Sequence, residues 1–128
     1  MISTGSMFSH IECTSCKKTF SKDEILKLCP VDDCGKVLFP KYDLDFDKSR
    51  KSIDDLKNRE PNMWRYKEFL PVNFEENIIT LGEGFTPILD AKNLALDLGI
   101  NKLLIKDESL NPTSSFKARG LSAAVSKA

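Results

Sequence analysis

Lys106-Asp-Glu-Ser-Leu-Asn-Pro-Thr-Ser-Ser-Phe-Lys-Ala-Arg-Gly120 is the stretch that decides how this 128-residue chain is read. Pro112 fixes its own φ and pushes Asn111 out of the helical region, which marks a turn. Thr113, Ser114 and Ser115 are N-cap candidates, because a hydroxyl oxygen accepts from the free amides of a first helical turn. From Phe116 the chain continues as a helix-compatible run rich in small residues. Lys117 is therefore expected in the first turn, where the positive end of the helix dipole disfavours an ammonium. Burial there would push further toward the neutral amine. A neutral lysine amine is what Schiff-base chemistry requires, and the free amides and hydroxyls around it favour anions. The ordinary alternative is a solvated lysine at a helix start, since lysine is seldom buried.

Upstream, the pattern predicts alternating strands and helices. Ile78-Ile-Thr-Leu81 reads as a short strand running into the shaped loop Gly82-Glu-Gly-Phe-Thr-Pro87. A lone Gly-x-Gly is weak evidence for phosphate binding. Thr86 is a candidate substrate contact, with an ST-turn as the competing role. Asp90 is expected to cap a helix reaching Leu98, with Gly99 as its C′ residue. Lys102-Leu-Leu-Ile-Lys106 reads as a buried-type strand that delivers the lysine loop from its C-terminal end, where α/β ligand sites belong.

All four cysteines precede this region, as Cys13-x2-Cys16, twelve residues, then Cys29-x4-Cys34. Two close pairs separated by a hairpin-sized insert fit a tetrahedral structural zinc site with four thiolate ligands and no open position for water. The apolar residues nearby are too few for an independent core, a lack that a metal compensates. Two disulfides would need an oxidising compartment, to which nothing points. His10 is read as an ordinary exposed histidine. Val37–Phe46 reads as the last strand of this unit and its exit. Residues 47–60 read as a solvated helix or linker. Asn62-Met-Trp-Arg-Tyr-Lys-Glu-Phe-Leu-Pro71 reads as a short aromatic helix capped by Asn62, with Met63, Tyr66 and Leu70 at core spacing.

The chain has 19 basic and 19 acidic residues, so charge implies no partner, and no basic face suggests nucleic acid. It lacks an apolar run of about 18 residues, so no membrane span is expected. The first ten residues lack the character of a secretory signal, and a cytoplasmic location is expected by default. The length suits one compact domain of about 100–150 residues.

Four motifs in order resemble the threonine synthases and related fold-type II pyridoxal-phosphate enzymes. They are the cysteine ribbon, the Trp64-Arg-Tyr arm, Leu-Gly-Glu-Gly-x-Thr-Pro ending at Pro87, and Asn111-Pro-Thr-Ser-Ser-Phe-Lys-x-Arg-Gly120. The last departs from the family signature at Ser114, where glycine is usual, and at Ala118, where aspartate is common. The resemblance implies that Lys117 is the catalytic lysine that carries pyridoxal 5'-phosphate and that Phe116 lines the cofactor. Thr86 and Ser115 are expected on the substrate side.

The expected class is α/β: a zinc ribbon (1–46), a linker and aromatic helical arm (47–76), then the first βαβα portion of a fold-type II domain (77–128). The chain is expected to be the N-terminal part of a longer enzyme, a homodimer when whole, that acts on a small amino-acid substrate. The family's phosphate-binding loop and ring-nitrogen ligand are expected downstream, so these residues alone are expected to be inactive. Ala118 keeps open another fold-type II enzyme, such as a threonine or serine ammonia-lyase or a cysteate synthase-like enzyme. A non-enzymatic zinc-ribbon binding module is the remaining alternative.

Overall fold

The computed structural model describes residues 1–44 and 54–128. Three strands open the chain: β1 (Phe8–Cys13), β2 (Thr19–Ser21) and β3 (Leu38–Tyr42). They form an antiparallel sheet in the order β2-β1-β3, with Ile11 opposite Phe20 on one side and Pro40 on the other. Pro40 has no amide to donate, which an outer strand tolerates. Phe46 and residues 47–53 of the expected exit and linker lie outside the described residues.

The N-terminal residues run along the segment after the aromatic arm. The Thr4 amide donates to the Asn73 carbonyl at 3.0 Å and the Met7 amide to the Glu68 carbonyl at 2.8 Å. The Thr4 and Ser6 hydroxyls donate to the carbonyls of Val72 and Leu70, both at 2.6 Å. These bonds tie the cysteine-bearing sheet to residues 68–74.

The arm is a 3-10 helix, Met63–Phe69, broken at Tyr66. Asn62 caps it as expected, its side chain accepting from the Trp64 amide at 2.8 Å. The break changes which aromatic is buried: Trp64 joins Met63 and Val72 in the core, with Leu70, Ile78 and Ala123 packed on it, whereas Tyr66 is exposed. A continuous α-helical spacing does not hold across that kink.

The remaining elements are β4 (Ile88–Asp90), α1 (Lys92–Asp97), β5 (Leu104–Lys106) and α2 (Lys117–Lys127). Their order is β-α-β-α as expected, but three details differ. Residues 78–81 form no strand. The first strand is β4, so Asp90 ends a strand, and α1 begins after Ala91 without a side-chain cap. β5 pairs antiparallel with β4, with Leu89 opposite Ile105, and its residues are exposed among these 128 residues instead of buried. The end of α1 follows the sequence: Gly99 takes φ +67°, its amide donates to Leu96 and the Ile100 amide donates to Ala95, both at 3.0 Å, which is a Schellman closure.

Candidate functional site

The four cysteines converge. Their sulfur atoms all lie within 4.8 Å of one another, with Cys13 and Cys34 3.6 Å apart and Cys16 and Cys29 also 3.6 Å apart. Four sulfurs at about 2.3 Å from a tetrahedral zinc stand roughly 3.8 Å from each other, whereas a disulfide needs about 2.05 Å. The spacing therefore fits a metal of zinc's size and all four cysteines are free thiols.

The two knuckles share a local design. Each pair is followed by a residue at positive φ, Lys17 at +62° and Gly35 at +53°. The amide of the first cysteine in each pair donates to the carbonyl two residues past the second: Cys13 to Lys18 at 3.0 Å and Cys29 to Lys36 at 2.9 Å. The Ser15 amide points at the Cys13 sulfur at 3.4 Å. Cys13 and Cys29 are buried.

Burial raises the Cys13 thiol, but the amides of Ser15 and Cys16 and the thiols of Cys16 and Cys34 outweigh it and bring it down to about 6. Burial pushes Cys29 up to about 12, helped by the neighbouring sulfurs and opposed by the Val31 amide. A bound divalent cation deprotonates the thiols that coordinate it. His10 stands apart from the cluster, its Nδ1 2.6 Å from the Ser9 hydroxyl.

The lysine loop is built differently. Lys117 is the first residue of α2 and is exposed, as is Phe116 before it. The expected burial of the lysine is not present among these residues. None of the three hydroxyl residues stands at the N-cap, which is Phe116. Ser115 nevertheless serves the same end from one position earlier, its hydroxyl accepting from the Lys117 amide at 3.3 Å. Ser114 sits at φ +53°, with its amide donating to the Asn111 carbonyl at 2.7 Å. That conformation costs a residue with a Cβ about 1–2 kcal/mol, which accounts for the family's glycine at this point.

Two residues from the exposed amine, Arg119 enters a half-buried polar hub. Arg119 grips Glu108 with two bonds, Nε to Oε2 at 2.7 Å and Nη2 to Oε1 at 2.8 Å. Thr86, itself buried, donates its hydroxyl to Glu108 at 2.6 Å. Asn111 donates to the same carboxylate at 2.9 Å and accepts from the Gly84 amide at 3.0 Å. The Arg119 guanidinium, followed by the Thr86 hydroxyl, holds the Glu108 carboxyl well below the usual carboxylate range despite burial. Gly84, at φ +97°, has no room for a side chain: a Cβ there would lie 2.7 Å from the Met63 amide nitrogen and 2.9 Å from Arg119 Nη1.

A second network flanks the first. Glu83 is almost fully buried, and its carboxylate accepts from Trp64 Nε1 at 3.2 Å, Thr80 at 2.9 Å and the Leu81 amide at 2.9 Å. Burial raises its carboxyl, but the nearby Ser122 hydroxyl, backbone amides and the Thr80 hydroxyl outweigh it and hold it below its ordinary value. Phe85 adopts φ +51°, rare for a bulky residue, with the Arg65 guanidinium 4.8 Å from its ring centre.

Glu108 and Ser122 lie outside the four motifs, and Asn111 and Arg119 belong to the last of them without a site role assigned from sequence. The signal for Arg119 and Ser122 is their helical spacing with Ser126 on one face of α2.

Comparison with known proteins bears on the lysine loop first. Residues 79–128 match the family described as pyridoxal-phosphate dependent enzyme. That span holds the Gly82–Pro87 loop, the Glu108 hub and Lys117. The chain also resembles threonine synthases along most of its length. It is 43% identical to the threonine synthase of Methanocaldococcus jannaschii over 91% of this chain, and 37% identical to that of Methanosarcina acetivorans over 93%. The threonine synthase of Halalkalibacterium halodurans is 49% identical over 52% of this chain. The chain spans only 28% of the length of each of the first two relatives and 20% of the third. No solved structure matches it. Among the described residues no helix is long and apolar enough to cross a membrane.

Proposed function

We propose that these residues form the N-terminal part of a threonine synthase-like enzyme that converts O-phospho-L-homoserine and water to L-threonine and phosphate. The observation that carries this reading is the similarity to threonine synthases across both the cysteine segment and the lysine loop. The simple ammonia-lyase alternative leaves the cysteine segment without a counterpart.

The residues present suit pyridoxal phosphate in two respects. Lys117 offers an exposed primary amine at the start of a helix, and Phe116 offers an exposed ring beside it. Bound cofactor supplies the electron sink that stabilises charge on the substrate's carbon chain. Lys117 would hold the cofactor through its amine, and the same Nζ would move the protons at the substrate's Cα and Cβ. Phosphate departs from Cγ, which takes up a proton to become the methyl group; water gives its hydroxyl to Cβ, and Cα regains its proton. Ser115 keeps the first amide of the helix satisfied and is a proposed substrate contact beside Lys117. Thr86 is the other proposed substrate-side residue, but its hydroxyl is committed to Glu108, so its contribution is through loop shape.

Zinc in this reading is structural, bound by Cys13, Cys16, Cys29 and Cys34 in a ribbon. The whole enzyme is a cytoplasmic homodimer that binds neither nucleic acid nor membrane. These 128 residues alone bind zinc but do not turn over substrate.

The test is a product assay on the full-length protein with phosphohomoserine, serine, threonine and phosphoserine in parallel. Threonine and phosphate formed from phosphohomoserine alone is the expected result. Oxo-acid and ammonia from serine or threonine would replace the reading with an ammonia-lyase, and sulfonate formation from phosphoserine and sulfite with a cysteate synthase-like enzyme.

A further inference from the structure

The mechanism above uses Lys117 but leaves the Glu108 hub without a part. Arg119, Ser122 and Ser126 lie three and four residues apart, so they form one stripe along α2. Every member of that stripe is bonded to the segment before β4 or to β5's exit. Arg119 grips Glu108. The Ser122 hydroxyl donates to the Ile79 carbonyl at 2.7 Å and accepts from Trp64 Nε1 at 3.0 Å. Ser126 accepts from the Ile79 amide at 2.8 Å.

At about 100° per residue, Lys117 lies about 160° around the axis from Arg119. Leu121 and Ala124 share that opposite face, and both are exposed, as Lys117 is. A helix anchored by one stripe has its rotation fixed, and with it the direction of every side chain on the other face. The hub adds a second restraint. The Glu108 carboxylate collects Thr86 from the Gly82–Pro87 loop, Asn111 from the turn before the lysine, and Arg119 from the helix after it. The turn that carries Lys117 is thus clamped at both ends by one carboxylate.

We propose that Glu108 and Arg119 are positioning residues for Lys117: the two-pronged bond between them sets the rotation of α2 and the span of the lysine turn. The inference rests on the assignment of Lys117 as the cofactor lysine. Neither residue touches the reacting atoms; they act through the backbone that holds the amine. A planar, two-pronged grip is required, so lysine at position 119 is a poor replacement although it keeps the charge.

The experiment uses the full-length protein with bound pyridoxal phosphate and compares the wild type with Arg119→Lys and Glu108→Gln. The second keeps the shape of the side chain and one of its two accepting oxygens, while removing the charge and replacing the other oxygen with a donor. Three quantities are read: kcat and KM for phosphohomoserine, the pH at which the visible band of the lysine-bound cofactor titrates, and the melting temperature. Misplacing a reacting group by about 1 Å costs on the order of 10²-fold in rate. The expected result is a loss of kcat of about 10- to 100-fold with KM little changed, together with a shifted titration of the band, in both variants. A lowered melting temperature with kcat and the titration unchanged would overturn the inference and leave the pair a stability feature only. Wild-type protein lacking cofactor on Lys117 would overturn the assignment of that lysine, and this inference with it. A normal wild type beside normal variants overturns the inference alone.

Discussion

The two candidate centres of this chain are built with opposite polarity. In the cysteine segment two of the four reactive sulfurs are buried, and the donors around them are backbone amides of the knuckles themselves. In the lysine segment the Lys117 amine and the neighbouring Phe116 ring are exposed among these residues, while Thr86, Asn111 and Glu83 are buried. The first arrangement makes the chemistry its own core, which suits a metal that holds structure. The second leaves the Lys117 amine reachable among these residues and half-buries the Glu108–Arg119 pair proposed to aim it. The difference teaches that residue type alone does not separate structural from catalytic groups; the burial of the group relative to its supports does.

That contrast is easiest to break at the cysteines. Replacing Cys13 or Cys29 with serine, or removing metal with a strong chelator, is expected to abolish the fixed structure of β1–β3. Amide exchange across residues 8–42 and one zinc per chain by metal analysis measure it. Retained protection without metal would show that the sheet holds itself.

Lys117→Ala in the full-length protein is the matching change on the other side. It is expected to lower kcat by roughly 10²–10⁴-fold with a smaller effect on folding stability, because among these residues the Lys117 side chain is exposed. Activity assays beside chemical denaturation separate the two. A large loss of stability would mean that the lysine belongs with the buried supports.

Trp64→Phe sharpens the comparison by removing a support and sparing the amine. The indole nitrogen serves both Glu83 and Ser122, and leaving that buried carboxylate short of a donor is expected to cost about 1–3 kcal/mol. The smallest effect is expected from Ser114→Gly. Relief of the positive φ is partly offset by the greater freedom of the unfolded chain, for a net gain of about 0.5 kcal/mol. Destabilisation instead would show that the Ser114 side chain supports the turn.

What the sequence made legible was what neighbours in the chain decide. The cysteine spacing places the sulfurs because each knuckle is closed by its own amides. Gly99 ends α1 because only the local backbone is involved, and Asn62 caps the arm for the same reason. The misses were decided at a distance. Ile78–Leu81 has strand-forming residues, but side chains of α2, nearly fifty residues on, take the backbone groups of Ile79 that a strand partner would use. Tyr66 has core spacing only if the arm is a regular helix, and the kink gives its place to Trp64. Glu108 carries no motif signal, because its role exists only once Thr86, Asn111 and Arg119 have been brought together.

Reduction of the full-length protein with borohydride, followed by peptide mapping by mass spectrometry, addresses the lysine directly. Reduction fixes a covalently held cofactor to the residue that carries it. The account predicts a pyridoxyl group on the peptide containing Lys117 and on no other, absent when Lys117 is replaced by alanine. A pyridoxyl group on a different lysine, or none on wild-type protein that is active, would contradict it.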